Sequence, residues 1–270
     1  MRQILNIAHR GGAGLWPENT LFAFTSAAKA GFSGAELDVQ LTRDGRLVVF
    51  HDFQLSPVLC RDSTGLWLSA DRDLPRVRDL SLAELQSYDV GRPKPGSAYA
   101  LNHPALCPCE GEHMPSLAQV IAAVMPFKDF HLYVELKSST GDPSLSASPE
   151  ALAEAVIADL RAHDFLARST LVGFDWRALA QAKKIAPEII CWCTTKPNAG
   201  LTAADVQAAG GDGWFCAIEN ASAPAVASAH ALGLSFAVWT VNETAGMQRL
   251  IAHGADALCT DRPDLLQPLL

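Results

Sequence analysis

Apolar and polar residues alternate strictly along residues 34–41, and this stretch carries the clearest periodicity in the chain. Its apolar residues occupy the odd-numbered positions, while Glu36, Asp38 and Gln40 occupy even-numbered ones. Period-two alternation predicts a strand with one face packed in a core and the other face carrying polar groups. Glu36 and Asp38 therefore project to the same side, about 7 Å apart, because a strand rises about 3.4 Å per residue. A turn then leads into a second short strand at 47–50.

Predicted strands and helices alternate along most of the chain. A short apolar run at 4–8 predicts a first strand, and an apolar stripe at 17–30 predicts a helix that begins at Pro17 and ends before Gly31. Beyond residue 115, strands are predicted at 131–137, 170–174, 189–194, 213–217, 235–241 and 257–260. The predicted helices between and after them are 116–125, 149–163, 176–186, 202–209, 223–232, 244–253 and a C-terminal helix.

About eight strand–helix units with short connections predict an α/β fold, a (β/α)8 TIM barrel. The alternative is an open doubly wound sheet, but polar residues recur on the predicted inward faces, which favours the barrel. Because barrels of this kind use about 250 residues as one domain, we expect the 270 residues to form a single domain spanning 1–270.

Residues 53 to about 114 interrupt this rhythm, and we interpret them as a small insertion after the second strand. The segment is rich in Pro, Arg and Asp and predicts only one short helix, at 81–88. Four of its side chains could form a zinc site, but their spacing matches no standard zinc finger, so a loop with incidental thiols is favoured. These four are His103, Cys107, Cys109 and His113. We expect the insertion to set substrate choice and to take no part in the chemistry.

Charge and cysteine content narrow the possible partners and the compartment. A net charge of −8 argues against nucleic acid as a partner, since phosphate binding needs a basic surface. Seven cysteines, an odd number, fit a reducing cytoplasm better than a disulfide framework. No run approaches the roughly 18 apolar residues of a membrane span, and the N-terminus is too polar for a signal peptide. We expect a cytoplasmic monomer or homodimer without stable membrane insertion.

In a TIM barrel the functional site lies at the C-terminal ends of the strands. His9 and Arg10 end the first predicted strand, and Glu36 and Asp38 lie on the second. Other residues expected at this end are His51, Glu135, Lys137, Phe174, Asp175, Trp239, Thr260 and Asp261. Polar residues thus recur where packing alone would select Val, Ile or Leu.

The three acids Glu36, Asp38 and Glu135 predict a divalent cation, because carboxylates without a counter-charge repel each other and hard cations prefer oxygen ligands. A lone Glu-x-Asp would be common on a solvated sheet, but the third acid on a neighbouring strand favours a metal. A cation together with Arg10 and Lys137 would surround an anion such as a phosphate.

Two strand-end histidines, His9 and His51, could act as general base and general acid beside that anion. His9 alone would more often bond a backbone carbonyl, and Trp239 could equally be a core residue or contact a ligand. The sequence contains no P-loop and no kinase-like motif. Phosphodiester cleavage is therefore the predicted reaction class.

Several groups of residues resemble motifs of the glycerophosphodiester phosphodiesterases, and together they extend over nearly the whole chain. They are His9-Arg10-Gly11 with Pro17-Glu18-Asn19-Thr20, Glu36-Leu37-Asp38-Val39, His51-Asp52, Glu135-Leu136-Lys137, Trp239-Thr240-Val241-Asn242 and Thr260-Asp261-Arg262-Pro263. The resemblance implies a TIM barrel with an insertion after the second strand. It also implies Ca²⁺ or Mg²⁺ on the three acids, His9 and His51 as the acid–base pair, and Arg10 and Lys137 on the phosphate.

The function that this resemblance implies is hydrolysis of glycerophosphodiesters to glycerol 3-phosphate and an alcohol. In the family, a neighbouring hydroxyl of the substrate attacks phosphorus, and water then opens the cyclic phosphate. One alternative is a phospholipase-type enzyme acting on intact lipid, against which the lack of an exposed amphipathic stretch counts. A second alternative is a non-catalytic phosphodiester-binding barrel, against which the intact acids and histidines count.

Overall fold

Parallel strands close into a ring in the computed structural model, which describes residues 4–270. The strands of the ring are β1 Leu5–Ala8, β2 Gly34–Leu41, β4 His131–Leu136, β5 Ser169–Gly173, β6 Ile190–Thr194, β7 Gly213–Ala217, β8 Ser235–Trp239 and β9 Ala257–Thr260. Closure follows because β1 pairs in parallel with both β2 and β9. A further strand, β3 Leu47–Val49, pairs antiparallel with β2 outside the ring. The predicted TIM barrel is confirmed, and residues 1–3 of the predicted domain lie outside the described residues.

Helices follow the strands and cover the outside of the ring. They are α1 Leu21–Lys29, α2 Leu82–Leu85, α3 Ala98–Asn102, α4 Leu117–Val124, α5 Pro149–Ala162, α6 Trp176–Ile185, α7 Ala203–Ala208, α8 Ala223–Ala231, α9 Thr244–His253 and α10 Pro263–Leu266. None of these described helices is long and apolar enough to cross a membrane.

The prediction that the first helix begins at Pro17 is wrong. Thr20 is the N-cap, and its hydroxyl accepts a hydrogen bond from the backbone N–H of Ala23, so α1 begins one residue later. Asn19 just before it adopts a left-handed φ of 56°, which no helix can contain. The residues from Pro17 to Asn19 therefore form a turn, and this turn lies at the functional end of the barrel.

Two apolar layers stabilise the barrel, one between strands and helices and one inside the ring. Residues such as Leu37 and Val39 of β2 face the helices and are fully buried. The interior holds a separate cluster that includes Tyr133, Trp192 and Phe215. Because these rings fill the interior, the barrel is a packed core and not a channel. Glu36 and Asp38 occupy even-numbered positions of β2, so their side chains lie on the inner face of the ring with this aromatic cluster.

The register between β2 and β4 aligns their acids. Asp38 is paired with Glu135, and at the other end of the same ladder Gly34 is paired with His131. A Cβ at Gly34 would lie 2.2 Å from the carbonyl oxygen of His131, so only glycine permits this approach. The glycine that starts β2 thus helps to fix which carboxylates meet at the far end.

Residues 50–115 leave the barrel after β3 and return at α4 with a small apolar cluster of their own. Leu55, Val77, Leu85 and Met114 are fully buried in it. The sequence predicted one helix at 81–88, whereas the structure has the shorter α2 and a second helix, α3. Short segments held by isolated bridges and by local packing have no periodic signal, which is why α3 was not predicted.

Candidate active site

Three carboxylates converge at the C-terminal end of the barrel. One oxygen from each of Glu36, Asp38 and Glu135 lies within 4.8 Å of the other two. The side chains of Glu36 and Asp38 are almost fully buried, while that of Glu135 is partly exposed. Within residues 4–270 no other group of three His, Cys, Asp or Glu side chains converges in this way, and the Cys and His residues of the insertion do not.

The expectation that no counter-charge lies between these acids is wrong. Lys137 Nζ lies 2.9 Å from Glu135 Oε1 and 3.5 Å from Asp38 Oδ1. Arg10 Nε lies 3.3 Å from Asp38 Oδ2. Lys137 follows β4 on the same face as Glu135, so the period-two pattern already placed it beside the acids. Arg10 arrives from the turn after β1, where it adopts a left-handed φ of 51°.

Burial and charge move the pKa values of the two β2 acids in opposite directions. Burial raises the pKa of Glu36 well above its usual value, and the charges of Asp38 and Glu135 raise it further. Burial also acts to raise the pKa of Asp38, but the nearby charges of His51, Lys137 and Arg10 lower it overall. The ionised form of Asp38 is thus stabilised by cationic side chains, whereas the charge and backbone N–H of Arg10 lower the pKa of Glu36 by less than burial and the two acids raise it. A divalent cation would supply the missing positive charge.

His9 is held by a carboxylate from the last strand of the ring. Its Nδ1 lies 2.6 Å from Asp261 Oδ1, and its Nε2 lies 3.8 Å from Glu36 Oε2. Asn242 supports the aspartate, since Asn242 Nδ2 donates to Asp261 Oδ2 at 2.6 Å. Burial acts to raise the pKa of Asp261, but the charge and hydrogen bond of His9 lower it to about 2. An ionised carboxylate only accepts hydrogen bonds, so Nδ1 of His9 carries the proton.

His51 has the same kind of support from its neighbour in sequence. Its Nδ1 lies 2.7 Å from Asp52 Oδ1. Burial acts to raise the pKa of Asp52, but the hydrogen bond and charge of His51 lower it. Each of the two histidines therefore has an aspartate on Nδ1, and in His9 the other ring nitrogen, Nε2, faces the carboxylate of Glu36.

The turn before α1 supplies two more polar partners. Glu18 Oε1 accepts a hydrogen bond of 2.9 Å from Arg10 Nη1. Asn19 Nδ2 donates to Asp38 Oδ2 at 2.8 Å, and Asn19 Oδ1 accepts from the backbone N–H of Asp38. Burial acts to lower the pKa of Arg10, but Glu18, Asp38 and Glu36 raise it well above its usual value. The guanidinium is therefore a permanent cation at the site.

An open cavity of about 370 Å³ lies beside the acids. Glu135 and Lys137 line it together with Phe53, Phe174 and Lys196. Trp239 meets Phe174 edge to face, with ring centroids 5.3 Å apart. The indole N–H of Trp239 is buried and has no hydrogen-bond partner among the described residues. The cavity thus joins the charged centre to an aromatic wall.

The structure brings most of the predicted site residues into direct contact. His9, Arg10, Glu36, Asp38, Glu135 and Lys137 form one connected group. Trp239 lies against Phe174, and the charge of His51 acts on Asp38. Sequence reasoning did not assign roles to Asp52, Glu18, Asn19, Asn242 and Asp261. All five belong to the quoted motifs, which were the available signal.

A TIM barrel with converging carboxylates, two aspartate-held histidines and two cations defines the class of phosphodiesterase barrels. The family model described as "Glycerophosphoryl diester phosphodiesterase family" matches residues 9–265. The chain belongs to this family and is accordingly a phosphoric diester hydrolase.

Relatives and solved structures agree with this assignment. A glycerophosphodiester phosphodiesterase of Caldanaerobacter subterraneus is 30% identical over 97% of this chain and 96% of its own length. A crystal structure from Silicibacter pomeroyi DSS-3, assigned to the glycerophosphoryl diester phosphodiesterases, has a TM-score of 0.92 and 31% identity and covers 99% of this chain and 93% of that chain. A phosphodiesterase of Oleispira antarctica, solved with the product sn-glycerol-3-phosphate, has a TM-score of 0.78 and 25% identity, with coverages of 99% and 96%.

Proposed function

We propose that this enzyme hydrolyses glycerophosphodiesters to glycerol 3-phosphate and an alcohol, with a divalent cation and two histidines in its site. The observation that carries the proposal is the pair of aspartate-held histidines at the mouth of a site with three acids and two cations. The Oleispira antarctica relative, which was solved with sn-glycerol-3-phosphate, supports the product. We also propose that residues 53–114 are an insertion within one catalytic domain.

The three carboxylates fit a hard cation such as Mg²⁺ or Ca²⁺. They offer only oxygen donors, and burial, followed by the charges of Asp38 and Glu135, raises the pKa of Glu36. When bound there, the cation would act as a Lewis acid on a phosphoryl oxygen. Lys137 also lies within ion-pair distance of two of these acids, Glu135 and Asp38.

His9 and His51 would act as the acid–base pair. With Nδ1 held by an aspartate, each ring presents Nε2, which takes a proton when neutral and gives one when charged. One histidine takes the proton of the attacking hydroxyl, and the other gives a proton to the leaving alcohol. Each such transfer contributes about 10²–10⁴ in rate.

Arg10 and Lys137 would bind the phosphate, and Trp239 would contact the organic part of the substrate. Arg10 uses Nη1 for Glu18, which leaves further N–H groups of its guanidinium for an anion. Lys137 opens onto the cavity that also contains Phe174. Trp239 packs on the same phenylalanine, so it extends the apolar wall next to the charged centre.

The test is a panel of glycerophosphodiesters with different alcohols, assayed with and without a chelator. We expect release of glycerol 3-phosphate from at least one of them, loss of activity in EDTA and recovery on adding Mg²⁺ or Ca²⁺. Intact phospholipid in vesicles is the control substrate. Hydrolysis of lipid alone would identify the phospholipase-type activity, and binding of all diesters without turnover would identify a binding protein.

A further inference from the structure

One side chain of the insertion reaches the charged centre of the barrel. The hydroxyl of Tyr99, on α3, donates a short hydrogen bond to Glu18 Oε2. The other oxygen of the same carboxylate accepts from Arg10 Nη1 at 2.9 Å. Arg10 Nε in turn lies 3.3 Å from Asp38 Oδ2. An unbroken series of side chains therefore connects the insertion to a carboxylate at the centre of the site.

Tyr99 is held firmly in this position. Its ring stacks on that of His103, with centroids 4.2 Å apart and an interplanar angle of 26°. The His103 Nδ1 lies 2.8 Å from the carbonyl oxygen of Tyr99. Nearby, the backbone N–H of Cys107 donates to the carbonyl oxygen of Leu15, which ties the insertion to the loop after β1. Hence the segment that follows α3 is tied to the loop that follows Arg10.

The hydroxyl of Tyr99 acts as a donor. Burial raises its pKa well above the usual value, and the charge of Glu18 raises it further. The carboxylate of Glu18 has a side-chain exposure of only 8%, so an oxygen without a partner there would be costly. Tyr99 supplies that partner for Oε2.

The arrangement also limits how Glu18 can hold the arginine. A free carboxylate tends to bind a guanidinium through both oxygens, in a planar fork. Because Tyr99 occupies Oε2, Glu18 makes one hydrogen bond to Arg10. Apart from Nε, which faces Asp38, the other N–H groups of the guanidinium remain available. Without the hydroxyl, the carboxylate can rotate and take more of the guanidinium away from an incoming anion.

We propose that Tyr99 is a positioning residue, through which the insertion orients Glu18 and keeps Arg10 available for the phosphate of the substrate. The proposal rests on the proposed function and deepens it. It departs from our expectation that the insertion takes no part in the chemistry. Tyr99 does not touch the reacting atoms itself, since it acts through two intervening side chains.

The test compares Tyr99→Phe with Tyr88→Phe, which removes a hydroxyl from a half-buried tyrosine elsewhere in the insertion. For Tyr99→Phe we expect KM for a glycerophosphodiester and the inhibition constants of sn-glycerol 3-phosphate and inorganic phosphate to rise together, about tenfold, from the loss of a hydrogen bond to a charged group. The kcat value should change less. Tyr88→Phe should leave all four constants unchanged.

A double-mutant cycle with Glu18→Gln separates positioning from general weakening of the fold. If Tyr99 acts through Glu18, the double variant should bind phosphate about as weakly as Glu18→Gln alone, whereas independent effects multiply. The rise in melting temperature on adding phosphate, measured for each variant, gives the same comparison of phosphate affinity without an activity assay. Independent effects in this cycle, or a Tyr99→Phe variant that matches wild type in KM and phosphate affinity, would overturn the proposal.

The two proposals fail in different ways. Wild-type protein that hydrolyses a glycerophosphodiester, with Tyr99→Phe equal to it, overturns only the role of Tyr99. Wild-type protein without such activity overturns the proposed function. The effect of phosphate on the melting temperature of Tyr99→Phe, Glu18→Gln and the double variant then decides whether Tyr99 orients the anion site.

Discussion

Lys137 Nζ lies 2.9 Å from Glu135 Oε1, so one of the three acids that could hold a cation already has an ion-pair partner. The same ammonium group is 3.5 Å from Asp38 Oδ1. Burial acts to lower the pKa of Lys137, but Glu135 and Asp38 raise it, which keeps the side chain charged. A cation and Lys137 therefore share the same negative charge, and each weakens the hold of the acids on the other.

Replacing Lys137 should separate metal binding from activity. Lys137→Met removes the positive charge beside Glu135 and Asp38 while keeping a side chain of similar length. We expect tighter binding of Mg²⁺ or Ca²⁺ by titration calorimetry, because the carboxylates lose a competitor, together with a fall of about 10² in kcat/KM, since one group that stabilises the phosphate is lost. Unchanged or weaker cation affinity would contradict the geometry.

Removing the charge of Glu36 should abolish cation binding without destabilising the metal-free protein. Burial and two neighbouring acids already disfavour its charge, so Glu36→Gln should unfold at the same or a higher temperature than wild type when EDTA is present. Added Mg²⁺ or Ca²⁺ should raise the melting temperature of wild type, as any ligand of the native state does, but not that of the variant. Glu154→Gln, on the exposed face of α5, is the matched control. Full activity after exhaustive EDTA treatment would refute metal dependence.

The aspartate partners of the histidines should matter for turnover more than for binding. In Asp261→Asn the amide can donate to Nδ1 of His9, which moves the ring proton to Nε2 and blocks proton acceptance there. We expect kcat to fall at least ~10²-fold with little change in KM. His9→Ala should lose a similar factor, and the double variant should lose no more than either alone. A fully active Asp261→Asn would remove this pair from the mechanism.

His131, at the opposite end of the barrel, should make the fold sensitive to acid. Its Nε2 bonds Thr170 Oγ1 at 2.9 Å, and burial, then the charge of Arg168, lower its pKa from 6.5 to about 4. The unfolded chain therefore binds a proton between these values that the folded chain does not, so stability falls as the pH drops from 6.5 to 4. One pKa unit corresponds to about 1.4 kcal/mol, so the loss of stability across this window is at most about 3.5 kcal/mol.

Urea unfolding across this pH window measures the effect. His131→Gln should flatten the dependence of the unfolding free energy on pH between 6.5 and 4. Equal slopes for wild type and His131→Gln would show that the histidine is not desolvated as described.

The barrel and the acidic centre were predictable because both follow from local periodicity. Alternation in β2 placed Glu36 and Asp38 on one face, and Glu135 was predicted on the neighbouring strand at the same end of the barrel. The start of α1 was missed because Asn19 adopts a left-handed conformation that the amino-acid pattern does not reveal. Lys137 was predicted at the same end as the acids, but its ion pairs with Glu135 and Asp38 were not.

Contacts between distant segments could not be derived from periodicity. Asp261 reaches His9 across 252 positions of the sequence, and only closure of the ring brings them together. The position of Tyr99 could not be predicted from periodicity either. Its helix, α3, has only five residues and lies in a segment without a repeat. Such pairs depend on the tertiary path of the chain, to which single-sequence reasoning has no access.

Closure of the ring also has a consequence for the order in which the enzyme matures. Ribosomes make β1 first and β9 last, yet β1 pairs with both β2 and β9. Until β9 emerges, the growing sheet has two open edges, each a template for wrong pairing with another chain. The hydrogen bond between His9 and Asp261 also forms only at that final step. Pairing of β9 with β1 would therefore complete the active site and remove the open sheet edges at the same time.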